Sequence, residues 1–152
     1  MAGGAAFRAA DHPGLVGLDH LIDRRCDHLS GGERRRAVIA RGLAQGADLI
    51  MLDEPTNHLD VRHQLMLLDT LRASGRTVVA TIHDLGMAAS HFDHVVVLAD
   101  GGVLSAGPAR EALSPSNVAT AFHVVAHHVT TPDGSQELVC TAPLPNPNRE
   151  EN

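Results

Sequence analysis

The chain has 152 residues, 43% of them hydrophobic, and a formal net charge of −6, values that are ordinary for one globular domain with a sizeable core. The negative charge gives no reason to expect nucleic acid as a partner, and the longest apolar run is far shorter than the roughly 20 residues of a membrane span. Cys26 and Cys140 are single and distant, which favours two reduced thiols in a cytosolic protein over a disulfide or a metal site.

The first part of the chain leads into a glycine-rich turn. Residues 11–23 carry a short helical pattern, and Ser30, Gly31 and Gly32 precede a longer one with an apolar stripe (Ala37, Ala40, Leu43, Ala44). Free backbone N–H groups and two glycines at a helix N-terminus let an anion approach closely. The other side of this helix carries four arginines, which we interpret as a solvated face (Arg34, Arg35, Arg36, Arg41), and Gly46 is a plausible C-cap.

The next segment ends in two adjacent carboxylates. Leu49–Leu52 is an apolar run that predicts a buried strand, and Asp53 and Glu54 follow it directly. A strand-end Asp suits a phosphate-bound Mg²⁺, and an adjacent acid can orient or deprotonate water.

Further elements alternate between helix and strand. Asp60 is predicted to cap a helix over 61–73 with Val61, Leu65, Leu68 and Leu71 turned inward, and the β-branched run 77–82 predicts a second buried, parallel strand. A helix is expected near 85–91. Strands at 95–99 and 103–106 flank Asp100-Gly101-Gly102, which is a strong hairpin signal. The pattern indicates an α/β core.

The C-terminal part predicts short helices and a second hairpin. Pro108 suits the start of a helix to Leu113, 114–122 predicts another, and strands at 123–130 and 136–141 turn at Pro132-Asp133-Gly134. His123, His127 and His128 invite a metal hypothesis. Strand alternation places His127 and His128 on opposite faces, however, and no Cys or carboxylate lies nearby at ligand spacing.

These motifs, in this order, resemble the ATP-binding cassette (ABC) ATPases. Residues 29–33 resemble the family signature, 49–54 the Walker B strand with its catalytic Glu, 55–60 the D-loop region, and His83 the switch histidine. The resemblance runs from about residue 15 to about residue 142. It implies an α/β, P-loop NTPase-like core with parallel strands, part of the helical signature subdomain, and C-terminal antiparallel hairpins.

The family's mechanism implies a role for each matched residue. Two nucleotide-binding domains sandwich two ATP molecules, so Ser30, Gly31, Gly32 and Glu33 would contact a nucleotide held by the partner. In the chain's own site, Asp53 would hold Mg²⁺, Glu54 would polarise the attacking water, and His83 would contact the γ-phosphate. Asp60 would lie at the interface between the two sites. ATP and Mg²⁺ are therefore the implied cofactors.

Two motifs of the family do not occur in this sequence. The Gly-x-x-x-x-Gly-Lys-Ser/Thr phosphate loop (Walker A) and the glutamine loop are both absent. We therefore expect the C-terminal portion of such a domain. Residues 1–142 would form it, with a helical and signature region over 11–46 and the remaining motifs over 47–142, followed by a flexible tail over 143–152.

Residues after His83 indicate the branch of the family. The segments 83–89, 92–98 and 102–108 resemble the ATPases of bacterial importers for iron–siderophore, haem and cobalamin. The resemblance implies a peripheral subunit on the cytoplasmic face of the membrane. Its partners would be a second nucleotide-binding domain, permease subunits and indirectly a substrate-binding protein, with no nucleic acid. Two alternatives stay open: a non-catalytic module that lends only its signature half-site, and a soluble ATPase like the translation factors of the superfamily.

Overall fold

The computed structural model describes residues 17–21 and 23–145, so the predictions for residues 1–16 and 146–152 lie outside the described residues. The chain divides into two compact units, Met1–Ile82 and His83–Asn152. Both mix helices and strands, which confirms the predicted α/β class. None of the helices in the described part of the chain is both long and apolar enough for a membrane crossing.

The first unit is built on a pair of parallel strands. After short 3₁₀ turns at Asp19–Leu21 and Cys26–His28, the order is helix α1 (Gly31–Ala44), strand β1 (Leu49–Leu52), helix α2 (Val61–Ala73) and strand β2 (Thr77–Ala80). Strands β1 and β2 pair in parallel from Leu49 with Thr77 to Leu52 with Ala80, and α2 connects them. The carboxyl ends of both strands therefore lie at one edge, where Asp53 and Thr81 follow.

Side chains fix the helix starts where the sequence predicts them. Ser30 is the N-cap of α1 in a capping box with Glu33, and Asp60 is the N-cap of α2. The prediction of Gly46 as the C-cap of α1 is wrong by one residue. Gln45 is the C-cap, and Gly46 follows it at φ +70°, a left-handed conformation that glycine adopts without strain.

The core of the first unit lies between the two helices and one face of the sheet, and is formed by Ile39, Leu43, Leu59, Leu67 and Leu71. The prediction that Val61 and Leu65 turn inward is wrong, because they are 66% and 40% exposed. The buried stripe of α2 is centred on Leu67, Leu68 and Leu71, and Val61 and Leu65 lie outside this stripe.

Full burial of the two strands is also a wrong prediction. Alternate side chains, Ile50, Leu52 and Val78, pack against the core. On the opposite face Leu49, Met51 and Val79 are 52%, 75% and 51% exposed. In the described residues, therefore, α1 and α2 cover only one face of the sheet.

The second unit consists of two antiparallel hairpins and three helices. Helix α3 (Leu85–His91) is followed by strands β3 (His94–Ala99) and β4 (Gly102–Pro108), helices α4 (Ala109–Ala112) and α5 (Pro115–Phe122), and strands β5 (Val124–Thr130) and β6 (Gln136–Pro143). Strand β3 pairs with β4, and β5 with β6. The predicted elements are confirmed, and β6 includes Pro143, where the predicted tail begins. The buried residues of the second unit include Val97, Leu113, Val118, Ala126 and Leu138.

Candidate functional site

Asp53 and Glu54 lie at the carboxyl end of β1, and both residues hydrogen-bond to the hydroxyl group of Thr81. Thr81, which follows β2, donates its hydroxyl to Asp53 Oδ1 at 2.7 Å. The Thr81 hydroxyl oxygen in turn accepts the backbone N–H of Glu54 at 2.8 Å. Parallel pairing creates this contact, because Asp53 and Thr81 each come one residue after the paired positions Leu52 and Ala80. Asp53 itself is exposed.

Glu54 has an unusual backbone conformation, with φ +45°. A left-handed conformation costs free energy for a residue with a Cβ, and it persists where surrounding contacts hold it. The Asn57 side-chain amide donates to Glu54 Oε2, and the Asn57 backbone N–H donates to the Glu54 carbonyl at 3.2 Å. The local turn thus holds both the backbone and the carboxylate of Glu54.

The first turn of α1 presents backbone N–H groups. The Ser30 hydroxyl accepts the Glu33 N–H at 3.3 Å, and Glu33 Oε2 accepts the Ser30 N–H at 2.7 Å. These hydrogen bonds from Ser30 lower the pKa of Glu33 from its ordinary value, so this carboxylate stays ionised at neutral pH. No acceptor among the described residues takes the N–H groups of Gly31 and Gly32. The Ser30 hydroxyl can still donate, so this turn can bind an anion.

The four arginines of α1 do not form one solvated face. Arg34 and Arg41 are exposed, as predicted. Arg36 is buried, with its Nε lacking a hydrogen-bond partner, and Arg35 Nη2 donates to the Asp53 carbonyl at 2.8 Å and to the Glu54 carbonyl. The prediction is wrong for these two because α1 packs beside the turn after β1.

Asp60 caps α2 and lies in a segment that adjoins the first turn of α1. Its Oδ1 accepts the His63 N–H at 2.9 Å, and His63 Nδ1 is 2.8 Å from its carboxylate. These contacts lower the pKa of Asp60 from its ordinary value, and the positive charge of Arg36 adds a smaller effect. A Cβ added to Gly32 would lie 3.4 Å from the Leu59 side chain and 3.8 Å from the His58 carbonyl.

A depression of about 430 Å³ opens beside this helix end. Gly31, Gly32, Arg34, Arg35 and Val38 line it from α1, and Asn57 and His58 line it from the turn. The depression thus lies between the first turns of α1 and the turn that follows Glu54, and its lining is largely apolar.

His83 opens the second unit. It is exposed and directly precedes Asp84, the N-cap of α3, whose Oδ1 accepts the Met87 N–H at 2.8 Å. The structure therefore brings the predicted residues of the first unit together (Ser30, Gly31, Gly32, Glu33, Asp53, Glu54, Asp60) and places His83 in the other unit.

Three residues of the site were not predicted: Arg35, Asn57 and Thr81. A signal existed for Thr81, because a hydroxyl directly after a parallel strand lies beside the residue that follows the neighbouring strand. Asn57 lies three residues after Glu54, the spacing of a turn contact. Nothing in the sequence distinguishes Arg35 from Arg34.

Acidic residues at the carboxyl end of a parallel sheet, beside a glycine-rich helix N-terminus, are an arrangement that suits a nucleotide-binding α/β protein. The family model for ABC transporters matches residues 7–57. Among curated proteins, the cobalamin import ATP-binding protein of Halobacterium salinarum is 42% identical over 86% of this chain and 33% of its own length. The iron(3+)-hydroxamate import ATP-binding protein of Bacillus subtilis is 38% identical over 85% of this chain and 49% of its length.

Solved structures of ABC proteins also match this chain. An inward-facing ABC transporter of the metal-chelate type matches with a TM-score of 0.74 and 28% identity, covering 88% of this chain and 54% of the other. A dimeric ATP-binding cassette in a post-hydrolysis state with ADP and phosphate matches with a TM-score of 0.50 and 33% identity, covering 55% of this chain and 38% of the other. The chain belongs to the family of ABC transporter ATP-binding proteins, and it spans about a third to a half of the length of these curated relatives.

Proposed function

We propose that this chain is part of the ATP-hydrolysing subunit of an ABC importer for iron–siderophore or related metal chelates. One observation carries the proposal: the carboxylates after β1 and the anion-binding turn of α1 are held together, with Arg35 of α1 bonded to the carbonyls of Asp53 and Glu54. An acidic strand end orients metal and water, and a helix N-terminus binds phosphate. The cargo class is inferred from the names of the relatives.

The proposed chemistry is positioning and charge stabilisation. Glu54 accepts a hydrogen bond from the attacking water, and its carboxylate is held for this task by Asn57. His83 contacts the γ-phosphate. On the partner's nucleotide, Ser30, Gly31 and Gly32 donate hydrogen bonds to the phosphate oxygens, with Glu33 fixing the turn.

The residues present fit Mg²⁺. Asp53 is exposed, and a hydrogen bond from Thr81 orients its Oδ1, so the carboxylate can take a hard cation. In the described part of the chain no group of three or more His, Cys, Asp or Glu could hold a metal ion, which suits an ion held mainly by phosphate and water. Bound there, Mg²⁺ supplies charge neutralisation on the phosphates.

The phosphate loop has to come from outside these 152 residues. The sequence contains neither this motif nor any lysine, so the cationic side chain that grips the phosphates is not among its residues. We propose that a complete domain of this kind pairs with a second one across the signature. It then docks peripherally on permease subunits at the cytoplasmic face of the membrane, and a binding protein delivers the cargo.

The second candidate is a non-catalytic module that contributes only Ser30–Glu33 to a complete partner. This candidate needs only the capped first turn of α1, which the chain contains. The DNA upstream of Met1 separates the two. An encoded phosphate loop, in frame or across a frameshift, supports the ATPase, whereas a stop codon or an unrelated gene supports the module. The soluble ATPase alternative predicts no association with a permease.

The direct test replaces the water-orienting carboxylate. In a reconstituted assembly that contains a phosphate loop, Glu54→Gln should lower ATP hydrolysis by roughly 10²–10⁴-fold, the usual contribution of a general base, and leave ATP binding intact. Asp48→Asn is the matched control. Asp48 is an exposed carboxylate before β1 that pairs with Arg76. Unchanged turnover in Glu54→Gln would exclude the proposed role.

A further inference from the structure

Arg35 connects two functional parts of the first unit. It lies in α1, one turn after the glycines of the signature, yet its guanidinium donates to carbonyls 18 and 19 residues further along the chain, those of Asp53 and Glu54. Charge-assisted hydrogen bonds are stronger than neutral ones. The turn that carries both carboxylates is therefore attached to the helix that carries the signature.

The hydrogen bond from Arg35 reaches Glu54, the residue with the strained backbone. Glu54 has φ +45°. Its N–H donates to the Thr81 hydroxyl, its carboxylate accepts from the Asn57 amide, and its carbonyl accepts from both Arg35 and the Asn57 N–H. Asn57 belongs to the same turn and Thr81 to the end of the neighbouring strand. Arg35 is the partner on the signature helix, so a shift of α1 is passed to the Glu54 backbone through this contact.

We propose that Arg35 is a positioning residue that couples the signature to the water-orienting carboxylate of the same chain. This inference rests on the proposed function, in which the signature serves the partner's nucleotide and Glu54 serves the chain's own. When α1 closes on the partner's nucleotide, Arg35 brings Glu54 into its working position. Occupation of one site thereby promotes hydrolysis in the other.

A second arginine of α1 provides the matched control for the test. Arg41 is exposed, does not line the depression, and makes no contact to the carboxylate turn among the described residues. The assay measures kcat, KM for ATP and the Hill coefficient of ATP hydrolysis in the reconstituted assembly for Arg35→Gln, Arg35→Lys and Arg41→Gln. Circular dichroism of each variant checks the fold.

We expect Arg35→Gln to lower kcat by roughly 10- to 100-fold with KM almost unchanged, because a carboxylate displaced by about 1 Å loses rate and not nucleotide affinity. The Hill coefficient should fall to about 1, since coupling between the sites is lost. Arg35→Lys, which keeps one charged donor, should lie in between, and it decides the question if Arg35→Gln does not fold. Arg41→Gln should match the wild type.

Two outcomes overturn the inference. Either Arg35→Gln and Arg41→Gln behave alike, or Arg35→Gln raises KM at unchanged kcat, which would make Arg35 a direct nucleotide ligand. The Glu54→Gln variant, measured in parallel, separates this failure from that of the proposed function. If Glu54→Gln loses turnover and the two arginine variants are alike, only the coupling is wrong. If Glu54→Gln hydrolyses ATP normally, the proposed function itself is wrong.

Discussion

A single carboxylate added at Gly31 should block the signature without disturbing the fold. A Cβ at Gly31 would meet nothing within 4 Å, so Gly31→Asp fits sterically. An Asp in the first turn of a helix is favourable by about 0.3–1 kcal/mol. At about 5 Å and an effective dielectric constant of about 20, however, its charge repels one phosphate charge by about 3 kcal/mol, or more than 100-fold in affinity.

The assay uses a mixed dimer of reconstituted domains in which one chain carries Gly31→Asp. Nucleotide crosslinking to each chain reports the two sites separately. We expect the loss at the nucleotide held by the wild-type chain, because the signature acts across the interface. Gly31→Asn, with the same shape and no charge, should lose far less. A loss confined to the mutant chain's own nucleotide would refute the assignment of Ser30, Gly31 and Gly32 to the partner's site.

Two further predictions concern the chain by itself. Calorimetric titration with Mg-ATP should show no saturation at submillimolar nucleotide, because the phosphate loop is absent from its sequence and the signature acts on a partner; micromolar affinity would contradict this. Hydrogen bonds from Thr131 and Ser135 lower the pKa of Asp133 from 3.8 to about 2, so the stability it contributes is complete above pH 3.8 and is lost as the pH falls towards 2. Thermal unfolding between about pH 5 and about pH 2 should therefore depend less on pH in Asp133→Asn than in the wild type; identical slopes would show that the turn contact is not formed.

Local sequence signals were sufficient for most of the secondary structure. Asp60 caps a helix as predicted, and Ser30 directly precedes a helix as predicted and caps it. Asp100 and Gly101 both have positive φ, as a two-residue hairpin turn requires. These features depend on residues close in sequence, so pattern alone predicts them.

Burial could not be predicted in the same way, because it depends on what covers an element. Leu49 and Met51 are as apolar as Ile50 and Leu52, but in the described residues only one face of β1 meets the helices. An uninterrupted apolar run indicates a strand buried on both faces in a complete sheet. Within the described part of this unit, the two-stranded sheet is covered on one face.

Contacts between distant residues account for the rest of what was missed. Arg35 and Arg36 are equivalent to Arg34 in composition, yet one bonds to the turn after β1 and the other is buried. Thr81 acquires its role from the parallel register that aligns it with Asp53. The roles proposed for Asp53, Glu54 and His83 stay predictions until the chemistry is measured.

Light scattering of Glu54→Gln with Mg-ATP tests the central claim, that this chain forms half of an ATP-closed pair, most directly. In the reconstituted assembly, the variant should bind ATP, fail to hydrolyse it and accumulate as a closed dimer of about twice the mass measured without nucleotide. The Asp48→Asn control should hydrolyse ATP and return to the smaller species. A Glu54→Gln protein that binds Mg-ATP but keeps the smaller mass would contradict the claim.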